Sequence, residues 1–382
     1  MSNASPPTLA HPHRILVRGV NWLGDAVMTT PALMRLREAR PEARITLLTH
    51  EKLAGLWTRH PSIDTLLTFA KNESAWSVAR KLRLGSFQSG LALPNSHRSA
   101  LELWLAGIPQ RIGCAAPARS WFLTQSVTRR SDFTRMRKRS RSEINRLNAA
   151  GPGDASIVPS GGGSAAHQLH HYLRLAAALG ANPEPLAPYL EVSREEVETA
   201  RQKFSLRAGA LWLALNPGAE YGPAKRWPRE RFVEAAAQIQ SRPNCRWIVL
   251  GGANDAELAT TTASEIGQLT ARNSHPAPIN LAGRTSLREL CAVLKACRVL
   301  LTNDTGPMHV AAAVGTPVVA IFGSTSPNLT GPGLPGDPRH HLLDSNAPCS
   351  PCFLRECPID FRCMRGVPVE RVANAVMSAL DR

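Results

Sequence analysis

The sequence predicts an α/β protein of two Rossmann-like domains facing a central cleft. Three observations predict it. A chain of 382 residues is too long for one ordinary core. Strand-length apolar runs alternate with helix-patterned segments, with no long hairpin signal between them. That alternation starts twice, each time with a ligand-type loop after the first strand.

The first series opens with a strand over Ile15–Val17. A mainly helical stretch, Ala26–Arg40, follows and is expected to kink or restart at Pro31, which has no N–H to give. Arg44–Leu48 is the next strand, and the alternation runs on to about Gly113. Composition then changes. Arg129–Arg146 holds eight basic residues against Asp132 and Glu143, and Gly151–Ala166 is rich in Gly, Ser and Pro. The second piece reads as a linker or surface insertion. The basic piece reads either as a solvated or disordered face or as an electrostatic contact with a negative membrane surface. A helix over His170–Leu179, an irregular Pro183–Pro188 and a helix over Arg194–Leu206 lead to the second series.

Strands are expected there at Leu211–Leu215, Arg246–Leu250 and Ile279–Leu281, and helices at Arg231–Gln240, Asp255–Gln268 and Leu287–Ala296. The most informative segment comes next. Val299–Thr302 has strand length, Asp304, Thr305 and Gly306 offer capping oxygens and a pliant backbone, and Pro307 suits a first helical position. Gly315 suits the helix end, and Pro317–Phe322 is a second buried strand. Such a unit sets polar groups at the carboxyl end of a parallel strand, beside helix N–H groups that favour anions. An ordinary capped helix would account for Asp304 and Thr305 but not for His309.

Other loops add candidate chemistry. Gly19 and Gly24 have half of the spacing of a phosphate-binding loop, but Asp25 stands where its lysine would be. A carboxylate would repel phosphate, so Asp25 reads as a general base or as a plain helix cap. After the strand at Leu211–Leu215, Gly218 and Gly222 free the backbone, while Lys225 and Arg226 bring positive charge just before a helix, a combination that cradles a pyrophosphate. Asp255 and Glu257 follow the next strand, where an acid binds ribose hydroxyls in other nucleotide folds, although acids in a first helical turn are ordinary.

The balance of 45 basic against 29 acidic residues, a formal charge of +16, implies a polyanionic partner. Aromatic residues make up only 5% and no nucleic-acid module is recognisable, so a membrane surface or a phosphorylated substrate ranks above nucleic acid. No apolar run reaches 18 residues and Met1–Arg14 lacks the apolar core of a signal peptide, so a cytoplasmic protein is expected. Cys349, Cys352, Cys357 and Cys363 crowd together, which in that compartment favours metal over disulfide. The spacing is not a standard zinc-finger pattern, so a structural zinc and simple reduced or redox-labile thiols both stay open.

Three segments together resemble glycosyltransferase family 9, the ADP-heptose:lipopolysaccharide heptosyltransferases, in their heptosyltransferase II branch. They are Val20–Pro31, Asn216–Pro228 and Asn303–Ala313, with Cys349–Pro358 also fitting that branch. The resemblance covers roughly residues 14–125 and 168–381 and departs at the basic, Gly/Ser-rich insertion, about 131–166. It implies a GT-B fold, with an acceptor-binding domain over 14–195, an ADP-heptose-binding domain over 205–365 and a C-terminal helix within 366–382 packing back on the first domain. It implies inverting transfer of L-glycero-D-manno-heptose from ADP-heptose to the first heptose of a heptosyl-Kdo-lipid A acceptor. It further implies that no metal is needed for catalysis and that such an enzyme works at the anionic inner face of the inner membrane. Asp25 matches the catalytic base, and Lys225 the lysine on the donor phosphates. Asp304, Thr305, Gly306 and His309 match the donor loop, with Gly218 and Glu257 completing the donor site. Another GT-B nucleotide-sugar enzyme, such as an epimerase, or a non-enzymatic lipopolysaccharide-binding module are the alternatives.

Overall fold

The structure is a computed structural model describing residues 12–128, 134, 136–150, 166–240, 242, 244–271 and 275–381. The described residues fall into two compact units. One gathers those of Met1–Asn21, Ala32–Arg129 and Tyr172–Glu184; the other gathers those of Trp22–Pro31, Arg130–His171 and Pro185–Arg382.

The first unit is a parallel sheet. Its strands are β1 (Arg14–Arg18), β2 (Arg44–His50), β3 (Thr65–Phe69), β4 (Ser89–Ala92), β5 (Gln110–Cys114) and β6 (Gln125–Val127), in the order β3-β2-β1-β4-β5-β6. The helical segment after β1 divides into α1 (Leu23–Met28) and α2 (Thr30–Ala39). The break falls just before Pro31, as expected, and the Thr29 and Thr30 hydroxyls donate to the Ala26 and Val27 carbonyls in the last turn of α1. Helices α3 (Ala75–Arg83) and α4 (His97–Leu105) cover one sheet face, with Val78, Leu82 and Leu103 sharing a core with Leu16 and Leu48. Below them Arg18, at the end of β1, is buried with Glu102 at 2.9 Å, and Glu102 also accepts from Arg98 at 2.7 Å. Burial lowers the Arg18 pKa, so the carboxylate beside it is what keeps that charge tolerable.

The second unit carries α5 (Arg141–Ala150), α6 (Gln168–Ala177), whose last residues belong to the first unit, and α7 (Arg194–Lys203). Then come β7 (Leu211–Asn216), α8 (Arg229–Gln240), β8 (Cys245–Val249), α9 (Ala256–Ala271), β9 (Ile279–Asn280), α10 (Leu287–Ala296) and β10 (Val299–Asn303). The chain closes with α11 (Gly306–Ala313), β11 (Val318–Ile321), α12 (Pro327–Thr330), β12 (His341–Leu343), α13 (Arg362–Arg365) and α14 (Val369–Leu380). The sheet order is β12-β11-β10-β7-β8-β9, again parallel, with Thr302 level with Asn216. The chain builds outward from β7 to β9 and restarts at β10 on the other side of β7. The carboxyl ends of β7 and β10 therefore flank the reversal point where open α/β sheets bind ligands.

Two expectations are corrected. The C-terminal helix α14 belongs to the second unit, where Val372 and Val376 pack in one core with Phe232 of α8 and with Val319 and Ile321 of β11. Its amphipathic face is satisfied there. The boundary at 195 is also displaced: α1 and the described part of the basic run group with the second unit. The described part of the basic run keeps Arg137, Lys138, Arg141 and Arg146 exposed but is anchored at several points. Arg137 is bidentate to Glu143 at 2.9 and 2.7 Å, Arg139 is buried with its N–H donating to the Cys352 carbonyl at 3.0 Å, and Ile144 and Leu147 are buried. Arg129, Arg130, Arg135 and the Gly/Ser-rich 151–165 lie outside the described residues.

Candidate active site

Asn303, the last residue of β10, ties the site together. Its amide donates to the Pro217 carbonyl at 2.8 Å and the Gly218 carbonyl at 3.3 Å, and its oxygen accepts from the Trp227 N–H at 2.9 Å. The loop after β7 is thus clamped at both ends onto β10. Between the clamps Gly222 takes φ 151°, where a side chain would meet the Arg355 carbonyl at 2.5 Å. The turn that follows presents Lys225. Its ammonium reaches Asp304 Oδ2 at 2.6 Å, and the Thr325 hydroxyl donates to the same oxygen at 2.5 Å. Tyr221 lies under the ammonium, ring centroid to Nζ 5.1 Å, and its hydroxyl donates to the Phe353 carbonyl.

Helix α11 starts immediately after, capped by Thr305 with no side-chain cap bond; Pro307 carries no N–H and the Met308 N–H donates to the Thr305 carbonyl at 3.1 Å, so the Gly306 N–H leads the helix toward a ligand. His309, one turn in, is 4% exposed, and its Nδ1 has no partner among the described residues. Burial, with smaller contributions from His167 and Lys225 against the opposing pull of Asp304, holds it down to about 4. It is a neutral imidazole at neutral pH. Helix α1 crosses α11 so closely that a methyl group on Gly24 would stand 2.6 Å from His309 Cδ2, and one on Gly306 would stand 2.9 Å from Leu23 Cδ2. That contact sets Asp25, in the first turn of α1, on the wall of the same cavity.

The cavity has about 350 Å³, the scale of a small-molecule site. Asp25, Lys225, Asp304, Thr305, Gly306 and His309 line it together. Gly218 is held beneath by Asn303 and faces the Asp255 carboxylate, which would lie 2.5 Å from an added Cβ. Glu257 is exposed in the first turn of α9 and is not among the lining residues; its neighbour Asp255 is the acid turned toward Gly218. Sequence reasoning missed Thr325, Tyr221, Glu220, Thr330 and Phe353, and Met136 and Lys138 from the basic run. Tyr221 and Glu220 lay within the Gly218–Lys225 loop, and Thr325 after an apolar strand, so position alone could have found them.

The four clustered cysteines line one small cavity of about 10 Å³ with Ile144 and Arg362. Cys349, Cys352 and Cys363 belong to the apolar core, and burial raises all three thiols, Cys363 to about 12. Among the described residues no three His, Cys, Asp or Glu side chains stand so as to hold a metal ion. Of the two readings left open for this cluster, small buried thiols suit Cys349, Cys352 and Cys363, which pack as apolar groups.

With this geometry in view, similarity to known proteins decides the family. The sequence model of glycosyltransferase family 9 (heptosyltransferase) matches residues 163–361. Lipopolysaccharide heptosyltransferase 2 of Salmonella typhimurium is 31% identical over 334 residues, 84% of this chain and 85% of that one.

The chain belongs to glycosyltransferase family 9.

The heptosyltransferase 2 of Escherichia coli is likewise 31% identical over the same shares. The solved structure of E. coli ADP-heptose LPS heptosyltransferase II superposes with a TM-score of 0.75 at 26% identity, covering 96% of this chain and 98% of that one. The two parallel sheets are those of the GT-B fold, and this family 9 member is a glycosyltransferase. Among its described residues no helix is long and apolar enough to cross a membrane.

Proposed function

We propose that this protein transfers L-glycero-D-manno-heptose from ADP-heptose to the first heptose of a heptosyl-Kdo-lipid A acceptor, inverting the anomeric centre, with Asp25 as base. The observation that carries the reading is one cavity in which a carboxylate, Asp25, shares the wall with a lysine and a helix N-terminus. Asp25 takes the proton of the acceptor hydroxyl as that oxygen attacks the anomeric carbon, and ADP departs from the opposite face. Lys225 and the leading Gly306 N–H of α11 meet the charge that grows on the diphosphate, an electrostatic role that a metal ion plays elsewhere. Neutral His309 adds an uncharged ring to that wall. The relatives named heptosyltransferase 2 support the sugar and the acceptor, and disfavour an epimerase or a non-catalytic binding module.

ADP release from ADP-heptose is the test, run with and without detergent-dispersed mono-heptosyl Kdo-lipid A, in chelator. Acceptor-dependent release is expected. Asp25→Asn keeps the shape but cannot take the proton, so kcat should fall by at least about a hundredfold with donor affinity kept. Acceptor-independent turnover, or near-normal kcat in the variant, overturns the reading. So does activity that chelator abolishes and magnesium restores.

A further inference from the structure

The helical layer over one face of the first sheet carries an unusual outer surface. Of the eight tryptophans, three stand there: Trp76 on α3 is 67% exposed, Trp104 on α4 is 49% exposed and Trp121, in the 3-10 turn Arg119–Phe122, is 82% exposed. Leu84, capping α3, is 86% exposed. Leu84, Trp104 and Trp121 form a connected strip, and Trp76 stands two turns back along α3. The Arg83 guanidinium donates to the Leu105 carbonyl at 2.8 Å, bringing the end of α3 beside Trp104. Trp104 in turn meets Phe122 edge-on at 5.8 Å, next to Trp121.

The charge around the strip has one sign. Arg80, Lys81 and Arg83 are exposed on α3. Across residues 75–84, 97–105 and 115–128 the one acid is Glu102, which is buried and paired with Arg18 and Arg98. The nearby Glu73 is paired with Lys81 at 2.7 Å.

We propose that this face of the first unit is the surface by which the protein lies on an anionic phospholipid bilayer. The strip deepens the proposed function, resting on the reading that the acceptor is lipid-borne. Tryptophan rings are at home at headgroup depth, and arginine stems bury along apolar surface while the guanidinium stays wet. Anionic headgroups attract Arg80 and Arg83, which face no carboxylate among the described residues. The chemistry fits a fluid partner better than a protein. The exposed tryptophans protrude from three separate elements, Trp76 one turn before Arg80 on α3, Trp104 on α4 and Trp121 in the 3-10 turn, so a rigid partner would need a separate pocket for each, whereas lipid closes around them. The +16 charge of the whole chain acts in the same direction. The basic run at 137–146, tied to Glu143 and to the cysteine loop, is not required for this contact.

Co-sedimentation of the full chain with vesicles tests the surface, without acceptor, so that its failure is separate from failure of the ADP-release assay. The wild type is expected to bind phosphatidylglycerol/phosphatidylethanolamine vesicles in a salt-sensitive way and phosphatidylcholine vesicles weakly. The double variant Trp76→Ser/Trp121→Ser should lose about tenfold in partitioning while its ADP release with dispersed acceptor stays normal. Leu84→Glu, at the most exposed of these sites, should do the same and decides the matter if the double variant melts early. Wild-type vesicle binding by Leu84→Glu, or equal binding of the wild type to neutral and anionic vesicles, overturns the proposal.

Discussion

The Lys225–Asp304 pair sets how strongly the cavity holds an anion. Both side chains are largely buried, 14% and 5% exposed, and Asp304 Oδ2 receives Lys225 at 2.6 Å and Thr325 at 2.5 Å. The aspartate spends one lysine N–H on positioning and leaves the others for a ligand. Without the lysine, a buried carboxylate would face an incoming diphosphate with only a hydroxyl for company. Lys225→Ala should therefore weaken ADP binding and also destabilise the fold by about 3–5 kcal/mol, the usual result of stranding half of a buried pair. The two effects separate in the double variant Lys225→Ala/Asp304→Asn, in which no charge is stranded. Denaturant melts should recover most of the lost stability, while calorimetric ADP affinity stays low. Recovery of both would mean that Lys225 has only a structural part; recovery of neither would mean that the pair is not the unit that matters.

At the scale of elements, the contact of α1 with α11 decides where Asp25 stands. Gly24 lets the two helices touch, and a methyl group there would lie 2.6 Å from the buried His309 ring. Gly24→Ala is expected to cost about 1–3 kcal/mol as the helices part, and to cut turnover more than donor affinity, because the adjacent Asp25 moves with α1. Gly252→Ala, whose added carbon would meet only the Asp255 carboxylate at 3.7 Å, is the control and should leave both unchanged. A Gly24→Ala protein with wild-type melting and turnover would show that the α1 contact does not place the base. Elements of this kind were legible in the sequence to different degrees, for local reasons. The loop from Asn303 to His309 could be read because its strand, cap, proline and helix are contiguous and each has its own chemistry. The restart at Pro31 could be read for the same reason. Helix α5 could not, since Ile144 and Leu147 are two apolar residues in a run dominated by charge, and only their burial reveals the helical face. The strands β6 and β12, of three residues each, are too short to carry a period. Pairings across the chain were invisible: nothing local to Lys225 announces Asp304, 79 residues away, or distinguishes Asp255 from Glu257 as the acid that turns inward.

For the whole molecule, the charge ledger includes histidines that fold without their protons. Burial holds His60 in the first unit, and His167, His309 and His340 in the second, down to about 4. Their settings suit the neutral ring. The His60 Nδ1 accepts from the Ser62 N–H at 3.3 Å, and the His167 Nδ1 accepts from the Leu169 N–H at 3.2 Å while Nε2 faces the Gly331 carbonyl. In the unfolded chain a histidine titrates near 6.5. Between about 4 and 6.5 the unfolded state therefore binds more protons than the folded one, and stability rises with pH through that window. It is fully present above about 6.5 and is lost as pH falls toward 4, at up to about 1.4 kcal/mol per pH unit for each group. Glu196, held down to about 2 first by its Arg288 hydrogen bonds, acts in a lower window: its contribution is present above the ordinary carboxylate range and fades only below it. The formal +16 grows as the unfolded histidines and the carboxylates take up protons, which adds repulsion of the same sign. Urea melts at pH 7 and pH 5 should thus show a marked loss of stability at the lower pH, well before acid reaches the Glu196 window. His60→Phe should flatten the slope for the first unit and leave that of the second in place. A flat profile between pH 7 and pH 5, or stability that rises on acidification, would mean that these rings are charged or solvated in the folded protein.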